Sequence, residues 1–521
     1  MKLINKIKLQ NFKRYQTFSV EFDDKLNLLI GDNESGKSSI LSAIDIVLSG
    51  SKSKVETIGL ESIFNSSTIQ DFLTSDKRYA NLPSLFIELY LNEQNNPMLN
   101  GKYNSDDRTC DGLQLICEPA DDLSKEIQEI LEQDEPNFPF EYYTISFKTF
   151  QGGSYTGYKK FLRHILIDNT LISNEYATKE YVKTIYNSSV KDAEKNKHQN
   201  EYRKHKDSFK NVVLTSLNDR LTDYDFTIRT GSKANLETDL TIAENGINIE
   251  NKGKGKQCFI KTEFALNKKS NDLDVILIEE PENHLSHINM KRLIRKIGES
   301  EDKQLFIATH NDLISTRLDL RKAILLNSNS TEPVLLKSLP ESTAKFFIKA
   351  PDNNILEFIL SKKVILVEGD AEYILMDTFF QTTADDKKLE DYEVHVISVG
   401  GKRFKRYLDI ARLLSIKTAV IIDNDKNYQH NCVDNYTEYS SAPTVKIFSD
   451  DNNDRYTFEV ALYQDNTAVC DALFQADRKT LSVDAYMLGN KTEAAFKLLD
   501  NKTANLTVPK YIKEAIQWIK E

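Results

Sequence analysis

The chain opens with apolar and polar residues in alternation, Leu3 to Leu9 and then Thr17 to Phe22, the period of half-buried strands. Leu26 to Ile30 is a short apolar run, followed by a turn and a helical pattern from about Lys37 to Leu48. Residues 84–90 and 141–148 read as further strands. From about 155 to 225 the pattern predicts a helical insertion. Within it Lys191 to Lys210 is dense in Lys, Glu, Asn and His, and reads as an exposed arm: a solvated helix face, or a contact to a second copy or to DNA. Strands return at 226–229 and 238–249. An apolar strand, Val275 to Ile278, precedes a helix near 285–299 and another strand, Gln304 to Ala308. Residues 340–360, with Pro340, Pro351 and Asp352-Asn353-Asn354, predict a connector. Beyond it, strands at 363–367, 393–397 and 418–422 alternate with helices at about 370–380 and 402–415, which favours a parallel sheet. The pattern predicts two α/β domains in succession, 1–345 and 361–521, joined by a linker over 346–360.

Composition narrows the classes. The 521 residues allow two to four domains and a large core. The net charge of −11 argues against a uniformly basic protein that coats nucleic acid, but leaves room for local basic grooves. No apolar run reaches the length of a membrane span, and the opening residues lack the apolar core of a signal peptide. The five cysteines form no CxxC pair, so a reducing cytoplasm is expected, without a disulfide framework or a zinc knuckle.

Two stretches carry chemistry. Gly31-Asp-Asn-Glu-Ser-Gly36-Lys37-Ser38 has the form GxxxxGK[ST], between an apolar strand and a helix. Backbone N–H groups of such a loop wrap phosphate oxygens, and the helix N-terminus adds positive potential. Asn33, Gly36, Lys37, Ser38 and Ser39 are the expected nucleotide contacts, with Lys37 on the β- and γ-phosphates and Ser38 on Mg²⁺. Val275 to Ile278 leads into Glu279-Glu280-Pro-Glu282. One carboxylate suits the metal shell and the next the attacking water, so Glu279 is assigned to Mg²⁺ and Glu280 to the water. His310, after the strand that ends at Ala308, suits a contact to the γ-phosphate or the water; the alternative is a structural histidine. Lys252 to Gln257, with Gly253 and Gly255, is a further anion-binding loop.

In the second half, Glu368-Gly369-Asp370-Ala-Glu372 follows one buried strand and Asp423-Asn-Asp425 follows another. Glu459, in Tyr-Thr-Phe-Glu-Val, adds a further acid. Clustered like charges are costly without a cation, and carboxylate oxygens suit Mg²⁺ or Mn²⁺. Gly400-Gly401-Lys402-Arg403-Phe-Lys405-Arg406, before a helix, reads as a phosphate site or a solvated helix face.

The order of the first set resembles the ABC-type ATPase head of SMC proteins, through Asn11-Phe12-Lys13-Arg14 and the loop at 31–38. That resemblance implies a nucleotide held between two heads, with Gly253, Gly255 and Gln257 acting in trans, hence a homodimer or higher even oligomer. The usual Leu-Ser-Gly-Gly signature is reduced to its glycines and Gln257, and Gln151 is the candidate for the Q-loop glutamine. The second set resembles a Toprim domain over about residues 361–465. Head and Toprim in one chain resemble the overcoming-lysogenization-defect (OLD) family, which includes the nuclease subunit of Gabija phage-defence systems. The resemblance implies an ATP-regulated, metal-dependent DNA endonuclease or nickase. Glu368, Glu372, Asp423, Asp425 and Glu459 become metal ligands and Lys491 the lysine at the scissile phosphate. It also implies a helicase or another defence component as partner. Two other readings stay open: a Toprim nuclease acting on RNA such as tRNA, and an ATP-switched scaffold that does not cut.

Overall fold

An apolar run without alternation belongs in a strand buried on both faces, and Leu28, Leu29 and Ile30 are all fully buried. In the computed structural model their strand, Leu26–Gly31, lies inside a parallel sheet. The order is Ala323–Leu326, Leu26–Gly31, Gln304–Thr309, Val275–Glu279 and His164–Asp168. The structure describes residues 2–133, 136–170, 175–229, 236–267, 273–300, 302–328, 330, 332–350, 354–475, 481–501 and 506–521.

The alternating strands form a second, antiparallel sheet, in the order Tyr15–Glu21, Ile4–Phe12, Leu85–Leu91, Cys110–Pro119, with Tyr143–Thr149 on the last. The fully buried Gln304 ties the sheets together: its amide donates to Ile4 O at 2.8 Å and accepts from Ile4 N at 2.8 Å. Helix Lys37–Ser49 packs against strands of both sheets. Its Asp45 is buried between Lys54 and His164, whose Nε2 lies 3.0 Å away. Burial disfavours the Asp45 charge, but Lys54 and His164 more than offset that and hold its carboxyl well below the usual range.

Several expectations meet a different structure. The strand His164–Asp168 and the compact turn before it occupy the start of the supposed helical insertion, and helices begin at Glu175–Ser189. The next helix, Asp192–Val212, has no buried residue, as its charge density requires. No strand forms over 226–229. The run 238–249 is folded back on itself by Asn245 and Gly246, both at positive φ, which leaves only the two-residue strands Ala243–Glu244 and Ile247–Asn248. The expected connector holds helices Glu341–Lys349 and Ile355–Leu360, with Pro340 as the N-cap of the first; Pro351 to Asn353 lie outside the described residues. Pro before a helix starts it, because the missing N–H is not needed there.

By contacts the chain divides into two units, residues 1–314 with 322–333, and 315–321 with 334–521. The second unit is built on a parallel sheet in the order Val394–Ser398, Lys363–Val367, Lys417–Ile421, Val445–Phe448. Helices Asp370–Thr383 and Lys510–Lys520 bury their apolar faces in one core with the tail helices Val483–Gly489 and Lys491–Asp500. Among the described residues no helix is long and apolar enough to cross a membrane.

Candidate active sites

The strand Leu26–Gly31 delivers the loop to the N-terminus of helix Lys37–Ser49. Gly36 sits at φ +96°, and a Cβ there would lie 2.1 Å from the Tyr15 hydroxyl. Only glycine satisfies both conditions. Lys37 folds back over the loop, donating to Gly31 O at 2.7 Å and Asp32 O at 2.8 Å. Burial lowers its pKa, against the pull of Glu280, Asp32, Glu279 and Glu282. Asn33 is exposed at the tip of the turn, and Ser38 and Ser39 lie in the first helical turn. The Ser38 hydroxyl donates to Glu279, so the residue pair expected around Mg²⁺ is in contact. Burial raises the Glu279 pKa, with Asp168 and Glu280 adding to it.

Glu280 and His310 meet as well: His310 Nδ1 lies 2.6 Å from Glu280 Oε2. Parallel pairing of Val275–Glu279 with Gln304–Thr309 puts both residues just past the ends of adjacent strands. Glu280 is held at φ +47°, with its N–H on Ala308 O and its C=O accepting from the buried Asn169 amide at 3.3 Å. A residue with a Cβ at that angle is strained, and such strain gathers at functional sites.

Gly253, Gly255 and Gln257 form a separate group at the start of helix Lys254–Leu266. A Cβ on Gly255 would lie 2.0 Å from His284 O, so the helix packs on the loop that follows Glu280 through a glycine. Gln257 is buried and donates to Lys252 O at 2.8 Å, bracing its own loop. Gln151 is exposed in the turn after Tyr143–Thr149.

Glu282 is the residue the sequence reading left without a role. Nothing in a strand pattern says that an acid beyond Pro281 turns back into the site. It is buried; its Oε1 accepts from Thr309 Oγ1 at 2.6 Å and from His310 N at 3.2 Å, while Oε2 has no hydrogen-bond partner. Burial, with Glu280 beside it, pushes its pKa up to about 7. Glu282 thus fixes the backbone that carries His310 and stands behind Glu280. Glu282→Ala is expected to lower kcat for ATP hydrolysis roughly tenfold or more with KM little changed, and Glu282→Gln to recover part of the loss. Steady-state phosphate release checks this. An unchanged kcat in Glu282→Ala would remove Glu282 from the site.

In the second unit the acids come from two strand ends and two helix starts. Glu368 follows Lys363–Val367, Glu372 lies in the first turn of Asp370–Thr383, Asp423 follows Lys417–Ile421, and Glu459 lies in the first turn of Phe458–Asp465. Asp423 Oδ1 accepts from Phe458 N at 2.8 Å, which sets the end of strand Lys417–Ile421 against the start of helix Phe458–Asp465. The buried Asn424 secures this turn, donating to Asp450 O at 2.8 Å and Asn452 O at 3.0 Å. Burial, then repulsion from Glu372, Glu368 and Glu459, pushes Asp423 up to about 8. Glu372 is pushed up to about 7, by burial and then Glu459. Lys491 Nζ lies 2.9 Å from Glu459 Oε2 without hydrogen-bond alignment. Burial works against its charge, but Glu459, Asp423 and Glu372 raise its pKa. Asp425 is engaged by Lys402, at a backbone φ of +46°.

The carboxylates of Glu368, Glu372, Asp423 and Glu459 have the donor chemistry a divalent cation takes, whereas Asp425 is engaged with Lys402. Glu459, only 3% exposed, leaves both carboxylate oxygens without hydrogen bonds, and Glu368 Oε2 is buried without one. Buried carboxylates left so are expensive unless a cation completes them.

Residues 1–314 match the AAA ATPase domain family, and residues 359–425 match the Toprim domain of overcoming lysogenization defect protein-like chains. The chain belongs to the AAA ATPase family and carries an OLD-like Toprim domain. Over 139 residues this ATPase–Toprim chain is 27% identical to the DNA double-strand break repair Rad50 ATPase of Methanococcus maripaludis, covering 26% of this chain and 12% of that protein. Over 44 residues it is 43% identical to the DNA replication and repair protein RecF of Oenococcus oeni, covering 8% of this chain and 12% of that protein. The matched region thus spans 12% of the length of each relative. Among solved structures it is similar to an Smc head bound to the C-winged helix domain of ScpA, with a TM-score of 0.38 at 15% identity over 64% of this chain and 99% of that one. It is also similar to the C-terminal region of the Xanthomonas campestris pv. campestris OLD protein, with a TM-score of 0.25 at 21% identity over 32% of this chain and 94% of that one.

Proposed function

We propose that the ATPase–Toprim chain is an ATP-regulated, metal-dependent DNA endonuclease or nickase that serves bacterial anti-phage defence. The observation that carries the reading is the acid cluster of half-buried Glu368 with buried Glu372, Asp423 and Glu459 beside Lys491, in a chain that also has a complete phosphate loop. Glu368, Glu372, Asp423, Asp425 and Glu459 are the proposed metal ligands, and Lys402 contacts Asp425. Bound divalent ions supply a water of lowered pKa and a positive charge for the leaving oxygen. Lys491 offsets negative charge on the scissile phosphate. The Phe458 N–H keeps Asp423 aimed into the cluster.

At the nucleotide, Lys37 and the loop N–H groups hold the phosphates, and Ser38 and Glu279 hold Mg²⁺. Glu280 orients the attacking water, and His310 steadies the Glu280 carboxylate. In a dimer the loop 252–257 of one chain faces the phosphate loop of the other. The unit of residues 1–314 with 322–333 would carry the ATPase, and the unit of 315–321 with 334–521 the nuclease.

The test is incubation of the purified chain with supercoiled plasmid and with total tRNA, with Mg²⁺ or Mn²⁺, with and without ATP. Nicked or linear plasmid, absent in EDTA, is the expected result. Cleavage of tRNA alone would replace DNA by RNA, and cleavage of neither would leave a scaffold.

A further inference from the structure

Helix Glu341–Lys349, where the sequence suggests only a connector, builds a cationic ledge with helix Phe404–Leu414 of the same unit. Three contacts make the pair rigid. Phe347 stacks edge-on against Tyr407 with ring centroids 5.3 Å apart. Arg406 donates to Ser342 Oγ at 2.8 Å and Thr343 Oγ1 at 3.0 Å. Thr343 in turn donates to Asp409. Between the helices lies an open cleft of about 420 Å³, lined by Lys345, Phe346, Lys349, Ala350 and Arg403. The Arg403 guanidinium lies 5.9 Å from the Phe346 ring centroid, so the ring orients it by a cation–π contact. Lys345 is paired with Glu341, Lys402 with Asp425 and Lys405 with Glu438, whereas Lys349 and Arg403 have no acidic partner among the described residues.

The ledge joins the acid cluster directly. Val399 N donates to Val367 O at 3.0 Å and Gly401 N to Glu368 O at 2.8 Å. The backbone leading to Lys402 and Arg403 is therefore pinned to the strand end that carries Glu368. Cations run from Lys349 through Arg403 to Lys402, which touches Asp425. Such a row beside a cluster of buried acids suits a ligand that is a chain of phosphates, since phosphate contacts position a nucleic acid without reading its sequence.

We propose that the cleft between helices Glu341–Lys349 and Phe404–Leu414 seats the sugar-phosphate backbone next to the bond that is cut, with Lys349 and Arg403 each on a phosphate. This rests on the nuclease reading. It adds a substrate-holding surface from a segment with no motif of its own.

The test is binding of a fluorescein-labelled oligonucleotide to the full chain by anisotropy, with Ca²⁺ in place of Mg²⁺ to hold back cutting. Duplex DNA, single-stranded DNA and RNA of one sequence form the arms, and their order of affinity shows which backbone the cleft takes. Lys349→Gln/Arg403→Gln is expected to bind its best arm roughly tenfold more weakly, with a salt dependence lower by about two. Melting temperature and ATP hydrolysis should stay at the wild-type values. Lys349→Gln alone, at an exposed site, should lower the salt dependence by about one and covers the case of a poorly folded double variant. Wild-type affinity and salt slope in both variants would overturn the ledge while leaving the nuclease reading intact. Failure of the wild-type chain to bind any arm would overturn the nuclease reading, and the ledge with it.

Discussion

Asp423→Asn ends nucleic-acid cleavage and leaves ATP hydrolysis in place: that is the expected result of the most informative single substitution. The amide keeps an oxygen where Asp423 Oδ1 accepts from Phe458 N, so the turn stays closed. What is lost is a negative charge facing Glu368, Glu372 and Glu459. With one ligand charge gone, cleavage should fall at least about a hundredfold, the scale of several kcal/mol of lost charge stabilisation. A second readout does not depend on substrate. Mn²⁺ should raise the melting temperature of the wild-type chain, because a ligand bound only to the folded state stabilises it by about 2.7 kcal/mol at a hundred times its Kd. Asp423→Asn should lose that rise. Without metal it should melt no lower than wild type, since the burial and then the repulsion that push Asp423 up to about 8 do not act on a neutral amide. Wild-type cleavage in Asp423→Asn would make the cluster structural.

The second large effect separates binding from turnover at the nucleotide. Lys37→Ala should weaken ATP binding at least about a hundredfold, because it removes the charge whose hydrogen bonds to the phosphates are of the strong, charge-assisted kind. Glu280→Gln should bind ATP as wild type does and hydrolyse it about a hundred to a thousand times more slowly, the range for loss of a positioned base. Calorimetric titration with ATP and phosphate release, on the same preparations, give both numbers. Equal ATP affinity in wild type and Lys37→Ala would defeat the assignment of the loop, and unimpaired hydrolysis in Glu280→Gln would move the water-activating role elsewhere.

The phosphate loop and the acid cluster were legible because their chemistry forces residue types at fixed spacings. Gly36 must be glycine to pass Tyr15 at a positive φ, and an acid that reaches an ion from a buried strand must sit at its last turn. The fold was less legible where short elements borrow their stability from neighbours. His164–Asp168 joins the parallel sheet although its flanks read as helix and loop, because Val275–Glu279 is already there to pair with it. Val445–Phe448 went unseen for the same reason: four residues at the edge of a sheet carry no periodicity. Two prolines suggested a break at 340–360, yet Pro340 begins a helix whose Phe347 needs the Tyr407 ring to bury it. Glu282 and Lys402 owe their positions to turns, and turn geometry sends a side chain where no period predicts.

Glu280 holds a backbone angle that suits glycine, at φ +47°. A side chain there costs about 1–2 kcal/mol, and its charge also works against the buried Glu282. Glycine at 280 would remove both penalties and leave the phosphate loop untouched. Drift alone would therefore carry this position away from glutamate in any lineage that needed ATP only as a ligand. On the proposed water-activating role of Glu280, glutamate at this position marks a related head as a motor and glycine marks it as a clasp.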